Sequence, residues 1–252
     1  MTTKNIKLLE WYYNSGVTDV TSNTARSYLK EKNKPSCLSV QNDILSSAIN
    51  SQSASARELA ERCSSLSELK NTVQNFEGCA LKNTAMNTVF SDGNENADIM
   101  LIGEAPGSNE DAKGIPFCGD SGQLLDKVLG TIDLTRENNL YISNVIFWRP
   151  PANRKPTDEE LMICLPFVEK HIALISPKLL IIAGGVALYS LLGISTAISK
   201  YRQKILKYKN QYITTEIPVA VIYHPSYLLR QPLQKKLAWQ DMIFIKNFLN
   251  SK

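Results

Sequence analysis

Beyond residue 96 the chain alternates short, wholly apolar runs with longer segments of helical periodicity, and this alternation constrains the fold more than any other feature of its 252 residues. The runs ADIMLIG (97–103), NLYISNVIF (139–147), KLLIIAG (178–184) and IPVAVIYH (217–224) read as buried strands. Between them, Leu124, Leu125, Val128, Leu129 and Ile132 recur at helical spacing, as do Leu161, Cys164, Leu165, Val168, Ile172 and Ile175. Thr157, with Glu160 three residues on, forms a capping box that opens the second of these helices. A short helix ending at Leu192 and a closing helix over 233–249 complete the series. Strands separated by helix-length crossovers run parallel, with helices on both faces. The expected fold is therefore α/β: a three-layer α/β/α arrangement with a central, mainly parallel four-stranded sheet.

The N-terminal quarter has a different texture. Leu8 to Tyr13 is an apolar and aromatic cluster suited to a short helix, and 33–55 is rich in Ser, Asn and Gln. The expected division is an N-terminal extension and polar linker over 1–55, then one α/β domain over 56–252. Residues 57–73 are predicted to form a single amphipathic helix, with Leu59, Cys63, Leu66 and Leu69 on its apolar face.

Composition narrows the function classes. With 43% hydrophobic and 21% charged residues the chain buries a full core, which excludes collagenous, coiled-coil and wholly disordered classes. No apolar run approaches the roughly 18 residues of a membrane span, and the N-terminus lacks a signal-peptide layout. A cytoplasmic protein with no membrane partner is expected. Five scattered cysteines without a CxxC pair argue against a disulfide framework and against a zinc site. Imidazole chemistry has two candidates, His171 and His224, and His171, beside Glu169 and Lys170 in a helical stretch, is expected at the surface. The net charge of +4 is uneven: from residue 199 on, ten Lys/Arg face Glu216 and Asp241, giving +8 there and −4 before it. Such a basic segment suits a polyanion partner or a solvated lysine face.

In open parallel sheets, ligands gather beyond the carboxyl ends of the strands. The segments leaving those ends are GEAPGSNED, 144–154, GGVA and HPSYLLR. The stretches GEAPGSNEDAKGIPFCGDSGQLLDKVL (103–129), YISNVIFWRPPANRKPT (141–157) and YHPSYLL (223–229), in this order, resemble the uracil-DNA glycosylase superfamily and in particular its family 4 type. The resemblance spans about residues 79–249. It implies a monofunctional DNA repair enzyme that flips uracil out of DNA and hydrolyses its N-glycosidic bond, leaving an abasic site.

Residue by residue, the resemblance makes Phe117 the flat wall on which uracil stacks and Asn144 the amide that reads its edge, with Gly103 and Gly107 part of the base-binding loop. His224 becomes the donor to the oxygen on which negative charge grows. Glu104 ranks first and Asp111 second for holding the attacking water, with Glu110 a further acidic neighbour. In the best-known uracil-specific branch a tyrosine stands at the position of Gly107 and blocks thymine's methyl group. A glycine leaves that gate open, or simply serves a turn needing a positive backbone dihedral. Arg149, Arg154, Lys155, Ser226 and Arg230 are expected to contact DNA, and Leu228 or Leu229 to enter the base stack as a wedge or to begin a packed helix.

One departure is marked. Family 4 enzymes usually hold a [4Fe–4S] cluster on four cysteines, and here the matching positions are Phe76, Cys79, Trp148 and Cys164. The cluster is therefore expected to be absent, with Phe76 and Trp148 filling its volume and no other metal bound. Cys63 or Cys37 would have to leave its place to restore a set. Two other functions compete: a catalytically inactive DNA-binding accessory of replication or repair, and a glycosylase for another deaminated base. The sequence leaves protein partners unknown, and a monomer is expected.

Overall fold

The computed structural model describes residues 36–251, with side chains described from residue 49 onward. The expected helix at Leu8 to Tyr13 and the side chain of Cys37 lie outside those residues. Two compact units are distinguished, Met1–Ile44 and Leu45–Lys252; of the first, residues 36–44 are described and are helical.

Helix α1 (Ser36–Arg62) replaces most of the expected polar linker. Its C-terminal turns bury Ala56 and Ala60 completely, and such packing overrides the weak helix propensity of Ser and Asn. The single helix expected over 57–73 is in fact two, because α2 (Leu66–Asn75) starts afresh after a break at residues 63–65. Ser65 caps α2 by accepting from the Glu68 amide, while Glu68 Oε2 accepts from the Ser64 amide at 2.7 Å and its hydroxyl at 2.9 Å. Apolar spacing runs unbroken through the join, which hides it from periodicity.

The sheet has six strands in the order β1-β3-β2-β4-β6-β5. β2 (Ile99–Gly103), β3 (Leu140–Asn144), β4 (Leu179–Ala183) and β6 (Ile217–Ile222) are the four expected strands, and all their mutual pairings are parallel. The expected count of four is corrected to six by two edge strands, β1 (Asp92–Gly93) and β5 (Leu206–Tyr208), each antiparallel to its neighbour. At two and three residues they are too short to give an alternating pattern.

Alternation along the central strands splits the core into two. Met100, Ile102, Tyr141, Leu180, Ile182, Val219 and Val221 face the layer of α2, α5 (Asp158–Ile175) and α6 (Gly185–Leu192). Ile99, Leu101, Leu140, Ile142, Leu179, Ile181 and Ala220 face α4 (Asp120–Gly130) and α8 (Lys235–Asn250). Both faces are covered, so the strands read as continuous apolar runs. The capping box at Thr157 and Glu160 opens α5 as expected, with Thr157 donating its amide to Glu160 Oε2 at 2.8 Å.

His171 is not at the surface. It is fully buried on α5, its ring stacked 4.3 Å from Phe90 and its Nε2 2.8 Å from the Tyr141 hydroxyl. Burial holds its pKa down to about 3, so it is a neutral core residue. The charged neighbours Glu169 and Lys170 suggested exposure, but the helical period turns position 171 inward with Ile172 and Val168.

Candidate active site

The chain leaves β2 toward β3 on one side and later passes to β4 on the other, so a switch point lies at the carboxyl end of β2. There a cavity of about 460 Å³ is lined by Glu104, Pro106, Gly107, Glu110, Phe117 and His224, and by Asn153, Arg154, Lys155, Ser226 and Arg230. An open groove of about 870 Å³ adjoins it and shares Glu104, Lys155, His224, Ser226 and Arg230.

Phe117 is 5% exposed and holds a positive φ of 52°, rare for a bulky residue. Gly103 makes room for its ring. A Cβ at that position would collide with the ring and lie 2.6 Å from Asn144 Oδ1, so the glycine lets ring and amide close on one another. Asn144, the last residue of β3, is 2% exposed and not among the lining residues of the cavity, and its Oδ1 has no hydrogen-bond partner among the described residues. His171 Nδ1 and the Tyr212 hydroxyl, both away from this cavity, are likewise buried without a partner among the described residues.

His224 caps the short helix α7 (Pro225–Arg230) and lies 5.5 Å from the Phe117 ring, centroid to centroid. Its Nδ1 accepts from the Ser226 amide at 3.3 Å and is 2.8 Å from the Ser226 hydroxyl. Burial and the Arg230 charge lower its pKa to about 4. The ring is therefore neutral, and with Nδ1 an acceptor its proton sits on Nε2, ready to donate.

The three acidic candidates separate cleanly. Glu104 lines both the cavity and the groove, and its carboxylate accepts no hydrogen bond from the described residues. Burial raises its pKa, against the pull of Lys155 and Arg230. Asp111 is not among the lining residues; its Oδ1 is committed to the amides of Met86 and Asn87 at 2.8 and 3.1 Å. Glu110, on the short helix α3 (Ser108–Lys113), lines the cavity, but its Oε2 and Oε1 accept from the amides of Gly107 and Gly119 at 3.1 and 2.8 Å. Gly107 itself has φ −89°, so the turn does not require a glycine; the restriction is Glu110 Oε2, 2.7 Å from where a Cβ would stand.

Among the cations, Lys155 and Arg230 are exposed and line the cavity without an ion-pair partner among the described residues. Arg154 also lines it but makes a two-pronged pair with Glu160 at 2.6 and 2.9 Å. Arg149 does not line it and donates to Asn153 Oδ1 at 2.7 Å. Leu228 is 3% exposed and packed, which removes it as a contact for DNA, whereas Leu229 is 42% exposed. Pro150, Asn153 and the Gly184 turn lie in segments that the sequence places at the strand ends, but the sequence assigns no role to them or to Ser121. Gly184, at φ 100°, backs directly onto His224, and its glycine pair after a strand was the one available signal.

At the carboxyl end of β2 the sheet thus gathers a neutral histidine, an uncommitted carboxylate and the Phe117 ring at one cavity, with the buried Asn144 amide beside that ring. The chain belongs to the uracil DNA glycosylase superfamily, whose sequence model matches residues 90–244. It is similar to the type-4 uracil-DNA glycosylase of Archaeoglobus fulgidus, 37% identical over 172 residues, 67% of this chain and 85% of that one. The type-4 uracil-DNA glycosylases of Sulfurisphaera tokodaii and Pyrobaculum aerophilum are 35% and 33% identical, over 70% and 69% of this chain and 81% and 91% of theirs.

The residues at the cluster positions do not fit a four-thiolate site. Phe76 packs its ring edge-on against Phe167 at 4.9 Å, and Trp148 is 1% exposed with its indole N–H donating to Thr88 Oγ1 at 3.0 Å. Cys79 and Cys164 are buried neighbours, and the Cys164 thiol is pushed up by its hydrogen bond with Cys79 and by burial. Cys63 is engaged with Leu59 O and Thr72 Oγ1, both at 3.3 Å. No group of three or more His, Cys, Asp or Glu poised to hold a metal ion occurs among the described residues.

Proposed function

We propose that the chain excises uracil from DNA by hydrolysis, as a monofunctional glycosylase that uses neither a metal nor an iron–sulfur cluster. The observation that carries this reading is that the uncommitted Glu104 carboxylate and His224, whose Nδ1 is held by Ser226 so that Nε2 carries the proton, line one cavity with the Phe117 ring, beside which Asn144 Oδ1 has no partner among the described residues. Uracil presents an imide N–H flanked by carbonyl oxygens. Asn144 Oδ1 accepts that N–H, while its amide donates to a neighbouring carbonyl; cytosine, with an acceptor at that nitrogen and an amino group beside it, mismatches both. Phe117 supplies the stacking wall. As the bond from the sugar carbon to the base nitrogen breaks, its electron pair moves onto the base. His224 Nε2–H then donates to the carbonyl oxygen beside the departing nitrogen. Water adds to the sugar carbon, and Glu104 orients it and receives its proton. Lys155, Arg230 and Ser226 contact the phosphates, and Leu229 enters the stack.

A second reading, excision of another deaminated or 5-substituted base, is favoured by Gly107, which places no side chain against the ring. The inactive-accessory reading is disfavoured because a retired module gains nothing from a buried unpaired amide. The test is excision from oligonucleotides bearing one uracil, hypoxanthine, xanthine or mismatched thymine, with EDTA present, followed by alkaline cleavage. Uracil-dependent strand breaks support the proposal, and intact oligonucleotides from a folded, DNA-binding protein refute it. Anaerobically purified protein is expected to be colourless; about four irons per chain with acid-labile sulfide would overturn the cluster-free reading.

A further inference from the structure

Phe117 keeps an unfavourable backbone conformation, and something outside its own loop must hold it there. Residues at positive φ that are not glycine persist only where their surroundings over-determine them. The surroundings here converge on Arg136, in the connection between α4 and β3. Its Nη1 donates to Pro116 O at 2.8 Å and its Nη2 to Phe117 O at 2.6 Å. Two carboxylates aim the guanidinium: Asp92 Oδ2 accepts from Nη1 at 2.8 Å and Asp126 Oδ1 from Nε at 2.9 Å. The side chain is 14% exposed. On the far side, α4 packs against the same Phe117 carbonyl so closely that any Cβ at Gly122 would collide with it.

We infer that Arg136 is a positioning residue for base recognition, holding two consecutive carbonyls so that the Phe117 ring stays beside Gly103 and Asn144. The inference rests on the reading of the cavity as a base pocket. A planar fork suits two adjacent acceptors in a way a single ammonium does not. Without it, two carbonyls lose their donors, and Phe117 gains a reason to relax to negative φ, carrying its ring off the wall. The fraction of molecules with a formed wall falls, and affinity for the flipped base falls in proportion, while saturating DNA re-selects the formed state.

The experiment is single-turnover excision as a function of protein concentration for Arg136→Ala and Arg136→Lys, each alone and with Phe117→Ala. Arg136→Ala is expected to raise the half-saturating concentration about tenfold with the maximal rate changed less than about threefold, as a population shift requires. Arg136→Lys, which retains the charge for Asp92 and Asp126, is expected to fall between it and the wild type. In the Phe117→Ala background, either substitution should add less than about a twofold effect, because residues acting through one another are not additive. Hydrogen exchange of residues 114–119 in the free protein should quicken in both single variants. A drop in maximal rate at unchanged half-saturation, a full effect without Phe117, or unchanged exchange would each overturn the inference. So would loss of cooperative melting in both variants, since Arg136 would then be holding the fold and not the ring. If the wild type fails to excise uracil, the functional reading fails, and the exchange measurement still decides the clamp.

Discussion

The cavity around Glu104 and the aromatic cluster around Trp148 both hang from the chain as it leaves β3, with Asn144 at one and Trp148, four residues on, at the other. They treat their polar atoms in opposite ways. At the cavity the Glu104 carboxylate accepts nothing from the described residues, and beside the lining Phe117 ring the buried Asn144 Oδ1 has no partner among them. In the cluster, the Trp148 N–H has found Thr88, and Phe76 and Phe167 meet edge to face. Capacity left open beside a cavity, as at Glu104 and Asn144, suits a ligand and capacity already used suits packing, although the core His171 Nδ1 is also without a partner among the described residues. The cluster region should therefore answer to stability measurements and the cavity to rate measurements.

The sharpest test of that division is Trp148→Ala, expected to cost about 3–5 kcal/mol of stability, as large-to-small changes in a core do. Denaturant melts read the loss, while excision at a permissive temperature should survive. Trp148→Cys should not restore iron binding. Next, His224→Ala should slow excision about 100-fold or more, the usual cost of one donor to a developing anion, with the melt unchanged. Because the neutral ring is the donor and its pKa is about 4, the wild-type rate should show no inflection near the ordinary histidine value of about 6.5. Its acid limb should instead follow Glu104, above the usual carboxylate range, and vanish in Glu104→Gln.

A smaller effect tests the buried His171. The unfolded chain binds a proton there below about pH 6.5 and the folded one only near pH 3, so stability is full above 6.5 and is lost toward 3. Between those limits His171→Gln should remove about 1.4 kcal/mol per pH unit of that dependence, read from denaturant melts at pH 7 and pH 5. The smallest contrast lies among the cations. Arg230→Ala should lower the slope of log affinity against log salt by about one, and Arg154→Ala, already paired with Glu160, by clearly less.

What could be read from the chain follows from the range of the interactions. The parallel core was legible because doubly covered strands are apolar throughout, and the site loops because Gly, Pro, Asn and His fall at strand ends where ligands gather. The edge strands, the break before Ser65 and the inward turn of His171 escaped, each being decided by a few local hydrogen bonds or by a partner far along the chain. In the site, only the family resemblance ranks Glu104 above Asp111; the residues by themselves leave both open. Their difference is that Met86 and Asn87, some 25 positions earlier, occupy one of them. Arg136 escaped altogether, since nothing around it in sequence announces that it serves Phe117.

The staple made by Glu110 also bears on how this site can change over generations. Gly107 and Gly119 belong to different loops, and one carboxylate holds both amides. A tyrosine introduced at 107 to exclude bulkier pyrimidines must first evict Glu110 Oε2, and evicting it frees the segment next to Phe117. Substitutions at 107 and 110 are thus expected to be coupled: a side chain at 107 makes Glu110 Oε2 shift, and Oε1 of the same carboxylate holds the Gly119 amide.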